Sequence, residues 1–244
     1  MNSSSRSCAF FDIDGTLLKE FIIQSFPRYL ADSGYIESTY PDNIDSIVVD
    51  YRSGKVSYRV AAEEVPNLYA NALKGIKLST VKKWAEKFMA SYLPTHIFPY
   101  TKSLVKYVAS LVDMTVAVSG SPREVVDELQ EVGFDKVYGS LFELNSGVYT
   151  GKVKANLILG EVKGAIIHNI VNEYNIDLEK SIAFGDTDQD EPMLEMVRIP
   201  IALQPNSALK EICRVRGWKW FDIKDLYDVN QCINWIKRKL ETIK

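Results

Sequence analysis

No stretch of this chain approaches eighteen uninterrupted apolar residues, which excludes a transmembrane helix. Lysine and arginine, 29 together, never gather into a dense run and are outnumbered by 32 aspartates and glutamates. The resulting net charge of −3 argues against nucleic acid or an anionic membrane as the main partner. Cysteine is scarce: Cys8, Cys213 and Cys232 are odd in number, widely spaced and form no C-x-x-C pair. They read as small buried apolar residues in a reducing compartment, not as a disulfide framework. The two histidines, His96 and His168, have no partner at a useful spacing and read as structural. The stretch from Met1 to Arg6 shows no secretory apolar region or small-residue cleavage site, so the expected location is the cytoplasm. Internal repeats and low-complexity tracts are also missing. What is present is ordinary for a globular chain: 46% hydrophobic and 25% charged residues over 244 positions, enough for one large domain or a domain with a sizeable insertion.

The most informative stretch is Ala9-Phe10-Phe11-Asp12-Ile13-Asp14-Gly15-Thr16-Leu17-Leu18. Its apolar part is brief, aromatic-rich and stopped by a turn signal, which predicts a buried strand. Alternation along a strand sends Asp12 and Asp14 to one face. At the carboxyl end of a parallel strand that pair makes an acidic pocket. Gly15 permits a tight turn, and the Thr16 hydroxyl can hold a carboxylate in one orientation. Two carboxylates ~4 Å apart repel by ~4 kcal/mol at an effective dielectric of 20, a cost that a bound cation recovers and a simple Asp-Gly turn does not.

Residues 19 to about 95 carry helical signals: Glu20 to Ala31, Asp42 to Tyr51, Ser57 to Leu73, and a helix capped by Ser79 with Val81, Trp84, Phe88 and Tyr92 on one face. Pro27 and Pro66 are expected to interrupt the first and third, and Pro94 to end the fourth. The aromatics of this segment (Phe21, Phe26, Tyr58, Tyr69, Trp84, Phe88) sit at helical spacing and read mainly as core. Such an insertion directly after an acid pair looks like a lid. From Pro99 onward strand and helix alternate, with strands near 114–118, 137–139, 181–184, 199–203 and 218–223, a hairpin around Asn145-Ser146-Gly147, and a closing helix from Asp225 to Leu240. Pro122 is expected at the first turn of a helix capped by Ser121 and closed by Gly133. Alternating β and α with short links predicts an α/β fold, a parallel sheet covered on both faces.

Three later positions suit the opening pair. Ser119-Gly120 ends the second strand, where a hydroxyl and the N–H groups of a following helix can hold an anion. Lys163 lies in the helix before the next core strand. Gly185-Asp186-Thr187-Asp188-Gln189-Asp190 follows that strand, with three acids in five residues.

In this order (strand-DxDGT, strand-Ser, helix-Lys, strand-GDxxxD) the motifs resemble the haloacid dehalogenase superfamily of phosphohydrolases. The stretch from Tyr149-Thr150-Gly151 through Lys163-Gly164 to Gly185-Asp186 is similar to its phosphoserine-phosphatase-like branch, subfamily IB. The resemblance implies a Rossmann-like parallel sheet formed by residues 1–18 and 97–244, with an inserted all-helical cap of C1 type over residues 19–96. It implies a phosphatase that hydrolyses a small-molecule phosphate monoester through an aspartyl-phosphate. Asp12 would be the nucleophile and Asp14 the general acid and base. Asp12, the Asp14 carbonyl and Asp186 would hold Mg²⁺, while Ser119, Gly120 and Lys163 hold the phosphate. Thr16 would orient the acid pair, Asp190 would orient Lys163 or a metal-bound water, and Gln189 would stand near the phosphate. The second aspartate favours phosphate esters over halides, because an alkoxide leaving group needs a proton and halide does not. Substrate selection falls on the cap. The acid position of phosphoserine phosphatases lands on Phe21, with Glu20 one residue earlier. The arginine position lands on Glu63, with Arg59 nearby. Phosphotransfer to an organic acceptor and a non-catalytic phospho-acceptor role remain alternatives at this point.

Overall fold

The computed structural model describes residues 5–223 and 226–241. In chain order the strands are β1 (Cys8–Phe11), β2 (Met114–Pro122), β3 (Lys136–Asn145), β4 (Val148–Ala155), β5 (Ile182–Gly185), β6 (Ile199–Leu203) and β7 (Lys219–Phe221). The helices are α1 (Ile22–Asp32), α2 (Thr39–Arg52), α3 (Tyr58–Ala72), α4 (Leu78–His96), α5 (Thr101–Ala109), α6 (Arg123–Val126), α7 (Gly160–Tyr174), α8 (Glu191–Leu194), α9 (Ser207–Arg216) and α10 (Leu226–Glu241). The expected start of the closing helix, Asp225, lies outside the described residues. Among the described residues, no helix is long and apolar enough to cross a membrane.

One sheet runs β4-β3-β2-β1-β5-β6-β7, parallel except for the β3–β4 hairpin. From β1 the chain builds outward to β3 and β4, then returns to β5 on the other side of β1. The strand order therefore reverses between β1 and β5. Connections leave these two strands in opposite directions and open a crevice at their carboxyl ends.

All four β1 side chains are buried because the sheet is covered on both faces. Ala9 and Phe11 enter one hydrophobic cluster, with Phe11 stacked on Phe184 at 4.5 Å between centroids. Cys8 and Phe10 enter the other, against α7, α8 and α9. The three cysteines are free and buried, as their composition suggested. The helices α1–α4 share the first cluster with the sheet. Phe26, Tyr69 and Phe142 form a ring-to-ring path from α1 through α3 to β3. The Tyr69 hydroxyl donates to the buried Glu124 carboxylate on α6 (2.7 Å), so the attachment is polar as well as apolar.

Local expectations fail where tertiary packing outweighs a breaker. Pro27, Pro66 and Pro94 all lie inside helices, α1, α3 and α4, instead of ending them. Each costs one backbone hydrogen bond, and burial of the apolar helix face compensates. Ser79 is not a cap, since α4 already begins at Leu78. Ser57 does cap α3, accepting from the Val60 N–H. Pro122 ends a longer β2, and the helix starts one residue later without a side-chain cap. It runs as the four-residue α6 continued by a 3-10 stretch over Asp127–Val132, which closes at Gly133 (φ +115°) as expected. The hairpin turn falls where expected. Ser146 and Gly147 both have positive φ (49° and 79°), the two-residue turn whose twist matches its strands.

Candidate active site

Asp12 stands one residue beyond β1, with its N–H donating to the Phe184 carbonyl at the end of β5 (2.9 Å). That bond carries the strand geometry just far enough to aim the Asp12 side chain into the crevice. Lys163, from the second turn of α7, donates to Asp12 Oδ1 (2.6 Å) and Asp190 Oδ1 (2.7 Å). All three residues are buried. The other oxygen of Asp12, Oδ2, is buried without a hydrogen-bond partner.

Asp186 follows β5 and reaches the same place. Thr16 Oγ1 donates to its Oδ1 (2.8 Å), so Thr16 orients Asp186 and not the Asp12–Asp14 pair, a correction to the sequence reading. Here glycine is required at position 15. Its φ is +92°, and a Cβ would lie 2.2 Å from Asp186 Oδ2. Asp190 accepts from the Asp186 and Thr187 N–H groups through Oδ2 (3.1 Å each), which leaves Oδ1 for Lys163. A Cβ at Gly185 would lie 2.5 Å from that of Asp190, so a second glycine lets this loop fold back on its strand.

Asp14 lines the same cavity but has different partners. Its Oδ1 accepts from the Ile22 N–H (2.8 Å) and its Oδ2 from the Ser119 hydroxyl (2.6 Å). Helix α1 has no side-chain cap at Phe21, so the core supplies one: Asp14 serves Ile22, and the Ser121 hydroxyl accepts from Ile23 (3.1 Å). Ser121 thus caps α1, ninety-eight residues away in sequence, and not the helix that follows it. Ser119 is likewise engaged with Asp14 and with the Ser121 N–H (2.9 Å). Gly120 lines the cavity, and its carbonyl accepts from Ser140 (2.6 Å). Gln189 lines the cavity too and donates to Asp188 (2.8 Å).

The electrostatics follow from burying four carboxylates around one ammonium. Burial pushes Asp12 up to about 7, with Lys163 opposing the rise. Burial also raises Asp14, against the bonds from Ser119 and Ile22. Asp186 is held well above the usual carboxylate range by burial, then by the charges of Asp12 and Asp190. Burial works to lower the Lys163 ammonium, but Asp12 and Asp190 outweigh it and hold it above its ordinary value. Oxygens of Asp12, Asp186 and Asp190 lie within 4.8 Å of one another. Together with the partnerless Asp12 Oδ2, this is an oxygen-only set with more negative charge than Lys163 balances, which fits a small hard divalent cation. The Asp14 carboxylate is outside it, bound to Ile22 and Ser119.

Above these groups is a cavity of about 190 Å³. Its far wall comes from α1–α3 and the residue before α1: Phe21, Ile23, Gln24, Val48, Tyr51, Arg52, Tyr58, Ala61, Ala62 and Val65. Leu157 and Ile158 close the side. Of the three cap residues singled out from sequence, only Phe21 reaches this wall. Glu20 lies 3.5 Å from His96, and Arg59 pairs with Glu63 (2.9 Å) and Glu161 (3.0 Å). Phe26, Tyr69 and Phe88 are core as expected, whereas Tyr58 lines the cavity and Trp84 stacks on Tyr35 outside it. Sequence reasoning missed Tyr51, Arg52 and Ser121. The first two follow only from how α2 is turned, and a Ser before Pro carries the same local signal whichever helix it caps.

The family model described as haloacid dehalogenase-like hydrolase matches residues 9–195. Among curated proteins, the chain is 28% identical over 233 residues to the phosphoserine phosphatase of Streptococcus thermophilus, covering 95% of this chain and 98% of that one. It is 23% identical over 225 residues to a histidinol-phosphatase of Neisseria meningitidis, covering 90% and 100%. Among solved structures, a Bordetella pertussis protein of unknown function superposes with a TM-score of 0.75 at 24% identity, covering 90% of this chain and 99% of that one, a likeness of fold alone.

Proposed function

The chain belongs to the haloacid dehalogenase-like hydrolases, and on that premise we propose that it hydrolyses a small-molecule phosphate monoester through an aspartyl-phosphate on Asp12, with Mg²⁺ as cofactor. The observation that carries this reading is the Asp12 carboxylate. One oxygen is held by a buried lysine, and the other has no protein partner at the floor of a cavity.

In the first step the Asp12 carboxylate attacks phosphorus and the bond to the leaving alcohol breaks. Asp14 gives that alkoxide its proton. Burial keeps the Asp14 carboxyl protonated further up the pH scale than usual, which suits a donor. In the second step Asp14 takes a proton from water, the water oxygen bonds to phosphorus, and inorganic phosphate leaves with Asp12 restored. Lys163 stays charged throughout and balances Asp12 and Asp190. Asp12 and Asp186, with the Asp14 carbonyl, would hold Mg²⁺, whose charge offsets repulsion between a phosphate dianion and the carboxylates. Gly120 is on the phosphate side, whereas the Ser119 hydroxyl expected to bind phosphate is buried and committed to Asp14, so it acts by holding that acid in place. Thr16 and Asp190 hold Asp186 and Lys163 in place, and Gln189 stands beside them.

Residues 19–96 act as the cap over a core of residues 1–18 and 97–244. In support, the Tyr58 hydroxyl donates to the Ile158 carbonyl (2.8 Å) and the Asn156 side chain to the Ala62 carbonyl (2.7 Å), bonds that join the helical segment to the loop after β4.

The test is release of inorganic phosphate from a panel of phosphate monoesters with Mg²⁺, alongside Asp12→Asn. The substitution is expected to keep the fold and lower turnover on the order of a thousandfold or more, about 4 kcal/mol of barrier. Equal activity in the variant removes the covalent route, and phosphate appearing on an added alcohol instead of in solution makes the protein a transferase.

A further inference from the structure

The cavity wall opposite the carboxylates has an unusual charge content. The helical segment contributes aromatic and aliphatic surface, with Phe21, Tyr51, Tyr58, Val48 and Val65 the larger pieces, and not one carboxylate. All four acids of the cavity lie on the floor, where the phosphate and its cation belong. The wall carries one cation, Arg52, the last residue of α2. The other arginines nearby are neutralised: Arg28 by Asp42 and Asp45, Arg59 by Glu63 and Glu161. Arg52 is exposed and forms no ion pair among the described residues, although it also borders a neighbouring pocket that holds Glu20 and Asp45, whose nearest cations are His96 and Arg28. The one polar neutral side chain beside it, Gln24, has its amide N–H bonded to Asp45 (2.7 Å) and presents its carbonyl oxygen.

An amino-acid phosphate brings an ammonium group into such a cavity. With no acid on the wall, an ammonium directed away from the phosphate meets no counter-charge there to offset the water it loses. An aromatic or branched aliphatic body instead gains contact with the rings and with Val48 and Val65. A carboxylate at its far end meets the unpaired guanidinium, which is built for two-pronged binding of that group.

We propose that the preferred substrate is a phosphate monoester with a ring-sized apolar body, no cationic group, and a carboxylate or similar acceptor distal to the phosphate that binds Arg52. This rests on the phosphatase reading above and narrows it to a substrate class. Arg52 is then a specificity residue and not merely a cation placed at a helix C-terminus, where the helix dipole alone would favour it.

Four esters with primary-alcohol leaving groups separate charge from leaving-group acidity: benzyl phosphate, 4-carboxybenzyl phosphate, 4-(aminomethyl)benzyl phosphate and O-phosphoserine. Steady-state rates are measured for each on the full chain with Mg²⁺. The expected order of kcat/KM is 4-carboxybenzyl above benzyl above aminomethylbenzyl, with phosphoserine about a hundredfold below the best. Arg52→Ala is expected to cut kcat/KM for the carboxybenzyl ester about tenfold more than for the benzyl ester, through KM, with Arg52→Lys recovering part of it. Phe21→Glu is expected to shift preference toward the aminomethyl ester. Turnover that depends on Asp12 but favours phosphoserine or the aminomethyl ester overturns this inference and leaves the phosphatase reading standing. So does an Arg52→Ala effect equal on the carboxybenzyl and benzyl esters. Failure to hydrolyse any ester, with no phosphorylation of Asp12 by acetyl phosphate, overturns both.

Discussion

At the cavity floor, Asp12 and Asp186 sit at the ends of two adjacent parallel strands, and Lys163 and Asp190 lie within hydrogen-bond reach of one another. At the roof, Phe21, Tyr51, Arg52 and Tyr58 come from the starts and ends of three helices that pack on the core through apolar contacts. The floor is held by short charged bonds between buried groups. The roof is held mainly by area, with scattered polar attachments such as Tyr58 to Ile158, Tyr69 to Glu124 and the exposed Arg59–Glu161 pair. Strand ends place side chains by backbone pairing, so floor positions are fixed to within a residue. Helix faces place them by rotation, about 100° per residue, so a one-residue misreading moves a side chain off the wall.

This difference is what the predictions probe. The largest effect is expected at Lys163. Lys163→Met leaves Asp12 and Asp190 buried without their cation and should cost about 3–5 kcal/mol of stability in metal-free buffer, read by urea unfolding. A loss below 1 kcal/mol would show that the floor is not the charged keystone described here.

Next is the pH dependence of the metal-free protein. Asp12 titrates near 7 in the fold, above its unfolded value. The stabilisation that comes from binding this proton is fully present below the ordinary carboxylate pKa of about 4 and is lost as pH rises through 7. Asp186 is raised in the same direction, while Lys163 remains charged across the window. The melting temperature in EDTA should therefore fall between pH 5 and pH 8, and Mg²⁺ should flatten the fall by replacing the proton. An equal fall with Mg²⁺ present would contradict a cation at this place.

The smallest effect belongs to the attachment of the roof. Tyr69→Phe removes the hydroxyl that serves buried Glu124 and should cost about 1–3 kcal/mol of stability. The kcat on the best ester should stay within a few-fold, because neither residue touches the floor. A large drop in kcat at unchanged fold would mean that the two regions are coupled more tightly than their contacts indicate.

The same contrast explains how much of the molecule was legible in the sequence. The strand–acid motifs gave the sheet, the crevice and the cluster of Asp12, Lys163, Asp186 and Asp190, because an apolar run of four to five residues ending in Asp has few ways to sit in a parallel sheet. The partners chosen inside that cluster were less visible. Thr16 turns to Asp186, and Ser119 and Ser121 turn to Asp14 and Ile23, because long-range packing brings α1 onto β2. In the helical segment the prolines misled, and Glu20 and Arg59 found partners in His96, Glu63 and Glu161 outside the cavity. Arg52 carried no local signal of its role. Gly54, at positive φ just past it, marks where α2 ends, but nothing local says that the packing of α2 on α3 turns that end toward the cavity.

The central claim is a covalent phosphoryl group on the carboxylate that Lys163 holds. The direct measurement is borohydride reduction of the protein quenched during turnover with Mg²⁺ and a phosphate ester, followed by peptide mass spectrometry. An acyl phosphate at Asp12 is reduced to homoserine at that position, and the account predicts this conversion in the presence of ester and its absence without it. Rapid ester hydrolysis with residue 12 unmodified, or with homoserine at a different aspartate, would contradict it.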